Sequence, residues 1–249
     1  AHPGDDAFPL SDLFVSPVDY DRPGGTGGRL RLAARMAYSL EARRKFAAVL
    51  ERFRPDVVHL HNFAHQISPS ILDAGRRARV PMVMTMHDYK LVCPVYTLLS
   101  RGAPCLRCRG ARFRWCLLRR CTKGSLSKSL ANYVEMTLHH KILRIYRHVD
   151  TFIAPSRFMA ETTAAMGLRG RIHHLINFMP VEKSETGGGN RGRDLVYIGR
   201  LSPEKGIPTL VEAMRGSRAR LTLVGEGPQR PDLEAKVRTL GLDNVTFTG

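Results

Sequence analysis

The sequence predicts an α/β fold with parallel sheets, arranged as two successive units. Short apolar runs of strand length alternate with segments whose apolar residues recur at helical spacing, the pattern of βαβ units. One polar, glycine-rich stretch, "EKSETGGGNRGRD" (182–194), has no periodicity and interrupts the alternation as a linker does. Beyond it the alternation restarts.

In order, "LRLAARMAYSLEARRKFAAVLERF" (30–53) carries apolar residues at helical spacing with Pro55 after it, predicting one helix. "DVVHLH" (56–61) reads as a buried strand. "SPSILDAGRRARV" (68–80) reads as a helix opened by a serine cap and a proline, and "PMVMTMHDY" (81–89) as a second strand. Residues 90–124, with cysteines, prolines and arginines, break the pattern and read as an excursion from the core. "SLSKSLANYVEMTLHHKILRIYRHV" (125–149) lines up Leu126, Leu130, Val134, Leu138 and Ile145 on one helical face. "DTFIAPS" (150–156) is a strand entering a helix capped by Ser156, and "RIHHLINF" (171–178) a further strand. After the linker come a strand at 194–199, a helix from about 204 to 215, "RLTLVGEG" (220–227), a helix at 229–240 and "NVTFTG". The expected organisation is a first domain at 1–181 with a Cys-rich basic insertion at 90–124, a linker at 182–193, and the beginning of a second domain at 194–249.

The formal charge is +17 and 43% of residues are hydrophobic, enough to bury a core and to favour anionic partners. Residues 1–20 hold four aspartates and no lysine or arginine, unlike a secretory signal, and no apolar run approaches the ~18 to 20 residues of a membrane span. The chain reads as cytoplasmic, at most peripheral at the inner face of a membrane. It opens on alanine and stops at a strand-like segment, so both ends are expected to be cut.

Parallel α/β sheets bind ligands at the carboxyl ends of their strands. The run 195–198 ends in Gly199 and Arg200, and Lys205 is expected on the first turn of the next helix, where free N–H groups favour an anion. Two cations there suit a diphosphate; solvated surface charge is the plainer alternative. "VGEGP" (224–228) is a second glycine-rich strand end on the same side. On the first sheet, His87 with Asp88 beside it ends one strand, and His61 with Asn62 ends the strand before. The histidine suits orientation of a hydroxyl or proton transfer, against a packed histidine as the ordinary reading.

The five cysteines all lie between Cys93 and Cys121, an odd number in a cytosolic-looking chain, which argues against a disulfide framework. Cys105, Cys108, Cys116 and Cys121 have a spacing open to structural zinc, with reduced packing as the alternative. Between Asp88 and Glu135 there are ten Lys and Arg and no acid, an electropositive knob suited to anionic lipid or nucleic acid.

"PDVVHLHNF", "VPMVMTMHDYKLVCP", "IAPSRF", "YIGRLSPEKGIPTLVEAM", "LTLVGEGP" and "NVTFTG" occur in an order and spacing that resembles the family-four retaining glycosyltransferases of GT-B fold. The resemblance implies two Rossmann-like domains facing a cleft, an acceptor-side N-terminal domain and a nucleotide-sugar domain after it. It implies that Arg200 and Lys205 grip the donor diphosphate and that Gly199, Gly225 and Gly227 shape the turns beside it. His87 would lie near the transferred sugar, with His61, Asn62 and Asp88 on the acceptor side. No divalent metal or other cofactor is implied; the co-substrate is the nucleotide sugar and the acceptor a glycan or lipid-linked sugar. The first βαβ part and a downstream pair of glutamates are expected to be missing from the 249 residues, leaving them nearly inactive. The rival reading from another class is a zinc-stapled basic module that binds nucleic acid through residues 93–124.

Overall fold

The computed structural model describes residues 10–17, 25–63, 67–178 and 194–249, so the linker expected at 182–193 lies outside the described residues. The chain divides into two compact units, Ala1–Met179 and Pro180–Gly249.

The first unit contains α1 (Thr26–Ala37), α2 (Leu40–Phe53), β1 (Val58–Leu60), α3 (Ile71–Ala78), β2 (Met82–Thr85), a small hairpin of β3 (Leu99–Ser100) and β4 (Ala103–Pro104), α4 (Arg114–Leu118), α5 (Leu126–Thr137), β5 (Thr151–Ala154), α6 (Arg157–Met166) and β6 (Arg171–His174). Its main sheet runs β1-β2-β5-β6, and every pair is parallel, with Leu60 opposite Met84 and Met84 opposite Phe152. Leu72, Met82, Met86, Ile145 and Phe152 are sealed in one core around this sheet.

The helix expected over 30–53 is two helices. Ser39 is extended and caps α2, its Oγ accepting from Ala42 N at 3.1 Å. The break is buried, and two hydroxyls expected elsewhere hold it: Ser68 Oγ accepts from Ser39 N at 2.9 Å, and Ser70 Oγ donates to Ser39 O at 2.7 Å. Ser70 therefore does not cap α3 with its side chain. An orphaned backbone pair in the core outweighs a helix end that the backbone can close by itself. Ser156 does cap α6 as expected, Oγ accepting from Met159 N at 3.1 Å.

The segment 125–149 also departs from one helix. α5 continues into a π-turn at Leu138–Ile142, then Arg144 takes a left-handed φ of 51° before a 3-10 turn at Ile145–His148. The expected apolar face is consequently split. Ile145 is buried, whereas Leu126, Leu130 and Val134 stand about half exposed and Met136 and His139 point inward instead. A five-residue turn rotates the residues after it away from the face set by a 3.6 period.

Residues 90–124 are not a simple excursion. Leu91, Val92, Cys93 and Leu98 belong to the core, and Phe113 and Cys116 are buried, while Arg101, Arg107, Arg109, Arg112, Arg114 and Arg120 stay exposed. Lys90 is buried as well. Its Nζ meets Glu135 Oε2 at 2.9 Å and the carbonyl of Pro94 at 3.4 Å, so the first acid after the basic stretch neutralises its sunken cation.

Burial pushes the His139 imidazole down from its ordinary range and drives His140 down to about 4, with the neighbouring His139 and Lys90 charges adding to the effect on His140. A histidine whose folded value is depressed contributes stability that is complete above its unfolded value near 6.5 and lost as pH falls toward 4. We expect urea midpoints of the first unit to fall over this window by the equivalent of about 2 to 3 kcal/mol. His140→Phe, which preserves the ring packing, should flatten that segment of the curve; an unchanged slope would remove His140 as its source.

The second unit holds β7 (Leu195–Ile198), α7 (Ile207–Ala213), β8 (Leu221–Val224), α8 (Arg230–Thr239) and β9 (Val245–Thr248), with an all-parallel sheet ordered β7-β8-β9. Leu201, Ile207, Val211, Leu221, Leu223 and Leu233 form its core. Asn244 fastens the turn before β9, its Nδ2 donating to the carbonyls of Met214, Ser217 and Ala219 at 3.1 to 3.2 Å. Among the described residues no helix is long and apolar enough to cross a membrane.

Candidate active site

The parallel registers bring the carboxyl ends of β1 and β2 to one rim. His61 follows β1 directly and His87 lies two residues past β2, and the rings meet, His61 Nδ1 to His87 Nε2 at 2.9 Å. One nitrogen donates and the other accepts, so the contact does not tolerate both rings as cations. Burial first, then the charges of His59 and His87, hold His61 below the usual imidazole range, which keeps it neutral. Beneath them His59 Nε2 lies 2.7 Å from Thr85 Oγ1, tying β1 to β2 by side chains as well as by ladder bonds. Asn62 turns the chain off β1 with φ 37°, a conformation asparagine tolerates better than most residues.

Adjacency in the chain suggests Asp88 as the partner of His87, and the structure assigns it elsewhere. Asp88 Oδ1 accepts from Lys90 N at 2.8 Å and fixes the turn that sends Lys90 inward, so the ring partner of His87 is His61. His87, Asp88 and Asn62 nevertheless line one cavity of about 350 Å³, together with Thr85, Tyr96 and Tyr146. This falls within the range of small-ligand pockets. Burial raises the Tyr146 phenol well above its ordinary value, so it remains a neutral wall. Lys90 and Tyr146 have no sequence signal as site residues, because both owe their place to the turns at 88–90 and 138–148.

On the second unit, β7 ends at Gly199 and β8 at Gly225. Gly199 N donates to Val224 O at 3.0 Å, Gly225 N to Thr248 O at 3.0 Å, and Leu201 N to Glu226 O at 2.9 Å, zipping the two strand-end loops together. A Cβ on Gly225 would lie 2.3 Å from Gly199 O and one on Gly227 2.2 Å from Leu201 O. Both glycines are thus required by the approach of one backbone to another, whatever else binds there.

Arg200 leaves this seam exposed, and only its carbonyl is engaged, accepting from the Tyr197 hydroxyl at 3.1 Å and from Ser202 N at 3.0 Å. Lys205 is not on the first turn of α7 as expected. It ends a 3-10 turn, Pro203–Lys205, and Gly206 with φ 67° separates it from the seven-residue helix. The proline opens a turn before the helix can begin, so the cation is set on a loop. Both cations act on Glu204, whose carboxyl is held low first by the Ser202 hydroxyl at 2.6 Å and also by the charges of Arg200 and Lys205. Arg200 and Lys205 therefore share one small region with a single carboxylate, leaving net positive charge at the strand end.

The cysteines are free thiols, and among the described residues no group of three or more His, Cys, Asp or Glu is gathered to hold a metal ion. Cys105, Cys108, Cys116 and Cys121 are within electrostatic reach of one another without forming a ligand set. Burial pushes Cys108 up to about 12 and Cys116 up to about 11, so both stay protonated and act as packing groups.

Comparison with known proteins agrees with this layout. Residues 12–177 match the glycosyl transferase 4-like domain, and residues 192–249 match glycosyl transferases group 1. A GDP-mannose-dependent alpha-mannosyltransferase of Mycobacterium tuberculosis (strain CDC 1551 / Oshkosh) is 27% identical over 215 residues, covering 80% of this chain and 45% of that protein. A 2-deoxystreptamine glucosyltransferase of Streptomyces kanamyceticus is 28% identical over 184 residues, covering 71% and 43%. Among solved structures, Anabaena Alr3699/HepE in complex with UDP has a TM-score of 0.49 at 18% identity, over 83% of this chain and 51% of that one. The chain spans less than half the length of the two curated relatives. The 4-like match runs through the whole four-stranded sheet and its histidine rim, and on that extent the chain belongs to the glycosyl transferase 4-like family.

Proposed function

We propose that the full-length protein transfers a sugar from a nucleotide-diphosphate donor to a glycan or lipid-linked acceptor, with retention of anomeric configuration, in cell-surface polysaccharide or glycolipid synthesis. The observation that carries this reading is the consecutive match of both units to glycosyl transferase domains, with polar and cationic groups at the strand ends where parallel sheets bind ligands. Negative charge grows on the nucleoside diphosphate as the glycosidic bond breaks. Arg200, a planar fork, and Lys205, a mobile point charge, stabilise that charge more in the transition state than in the substrate. Neutral His61, in contact with His87, suits positioning of an acceptor or donor hydroxyl, and the cavity behind His87 and Asp88 suits a polar group of sugar size.

A peripheral position on an anionic membrane is part of the proposal. Leu126, Leu130, Val134 and Ile142 form an exposed apolar line beside the acid-free basic stretch, a combination that favours an interfacial face. The experiment is release of free nucleoside diphosphate from a panel of UDP- and GDP-sugars in the presence of lipid-linked and free glycan acceptors. Acceptor-dependent release from one donor is expected; none from any pair would sink the reading.

A further inference from the structure

A second cavity, of about 500 Å³, opens in the first unit among the turns that precede β5 and β6. Because the strands are parallel, these turns lie at their amino ends, the opposite edge of the sheet from His61 and His87. Lys141, Arg144, Arg147 and Arg169 line it, all four exposed, and no acidic residue does. Among the described residues none of the four has a carboxylate partner, although the other unit pairs Arg220, Arg230 and Lys236 with acids.

The inner wall carries two buried imidazoles with unmet hydrogen-bonding capacity. His139 is fully shielded, its Nε2 donating to Ala37 O at 2.6 Å while its Nδ1 has no partner. The His140 ring packs between Phe113 at 5.2 Å and Tyr146 at 4.9 Å, and its Nε2 is shut from water with no partner. Buried polar nitrogens left unpaired beside uncompensated cations mark a place where a polar ligand is missing. Opposing charge from a compact multivalent anion would relieve the mutual repulsion of the four cations, and guanidinium forks match phosphoryl oxygens.

We propose that this cavity binds a phosphate ester, with Arg144, Arg147 and Arg169 taking the phosphoryl oxygens and Lys141 supplying further positive charge. The ester comes either from a lipid headgroup or from a soluble phosphorylated compound. Ile142, 68% exposed, and Leu143 sit on the same turn as Lys141 and Arg144 and give the cavity an apolar collar that suits the lipid source. The site uses no residue of the Arg200 and Lys205 loop, so it stands whether or not the transferase reading does.

The test measures binding of glycerol phosphate by calorimetry, and co-sedimentation with phosphatidylglycerol against phosphatidylcholine vesicles, using the full-length protein. Arg147→Ala and, on a different element, Arg169→Ala should each weaken binding about tenfold, and circular dichroism should report folded protein. Arg218→Ala, the same charge loss on the second unit, should bind as the parent does. Loss confined to vesicles assigns the lipid source, and loss confined to glycerol phosphate the soluble one; either supports the site. Absence of binding to both probes, or equal weakening by Arg218→Ala, overturns it.

Discussion

In the full-length protein, Arg200→Ala should cut sugar transfer about a hundredfold, and Lys205→Ala by a similar factor, each a loss of about 3 kcal/mol of transition-state stabilisation. The fall should be in kcat, because the charge that these groups meet develops as the donor bond breaks. Stability should hardly change. Arg200 and Lys205 are both exposed, and what they offer the folded chain is a screened attraction for Glu204. Arg200→Lys keeps the charge and loses the planar fork, so it should fall between the parent and the alanine variant. Turnover equal to the parent in both alanine variants would leave the strand-end cations as surface charge.

Gly225→Ala should destabilise the second unit by about 4 kcal/mol, the sum of overpacking and backbone strain. Its φ is 133°, and the added Cβ would lie 2.3 Å from the carbonyl oxygen of Gly199, which the β7–β8 ladder holds in place. Nothing there is the free end of a flexible side chain. Gly206→Ala is the matched comparison: φ is 67° but no atom lies within 4 Å of its Cβ, so about 1 kcal/mol is expected. Urea unfolding followed by circular dichroism distinguishes them. Equal midpoints for the two variants would show that the loop seam at 199 and 225 yields without cost.

The consequence for the glycine-rich strand end is a change of role. "VGEGP" reads in the sequence as a turn beside a nucleotide, and it does end a strand on the same side as Gly199. The tertiary structure adds that Gly225 and Gly227 are spent on backbone against backbone, leaving Arg200 and Lys205 as the groups free to meet an anion. Likewise, the sequence places His61 and His87 on neighbouring strand ends. Only the register of β1 against β2 puts their nitrogens 2.9 Å apart and hands Asp88 to the Lys90 turn.

Alternation of apolar runs and helical periods determined, without any coordinates, that this protein has parallel α/β units, because period and burial are written residue by residue in the chain. The strand ends that carry polar residues came from the same pattern. The tertiary structure decided the features set by partners distant in sequence. Ser68 and Ser70 hold open a break between α1 and α2 some 30 residues earlier. A π-turn after α5 leaves Leu126, Leu130 and Val134 at the surface and draws His139 inward. Lys90 finds Glu135 across 45 residues. In each case the deciding quantity is the cost of leaving a backbone group, a ring nitrogen or an ammonium unpaired away from water, and that cost exists only once the chain has closed around it.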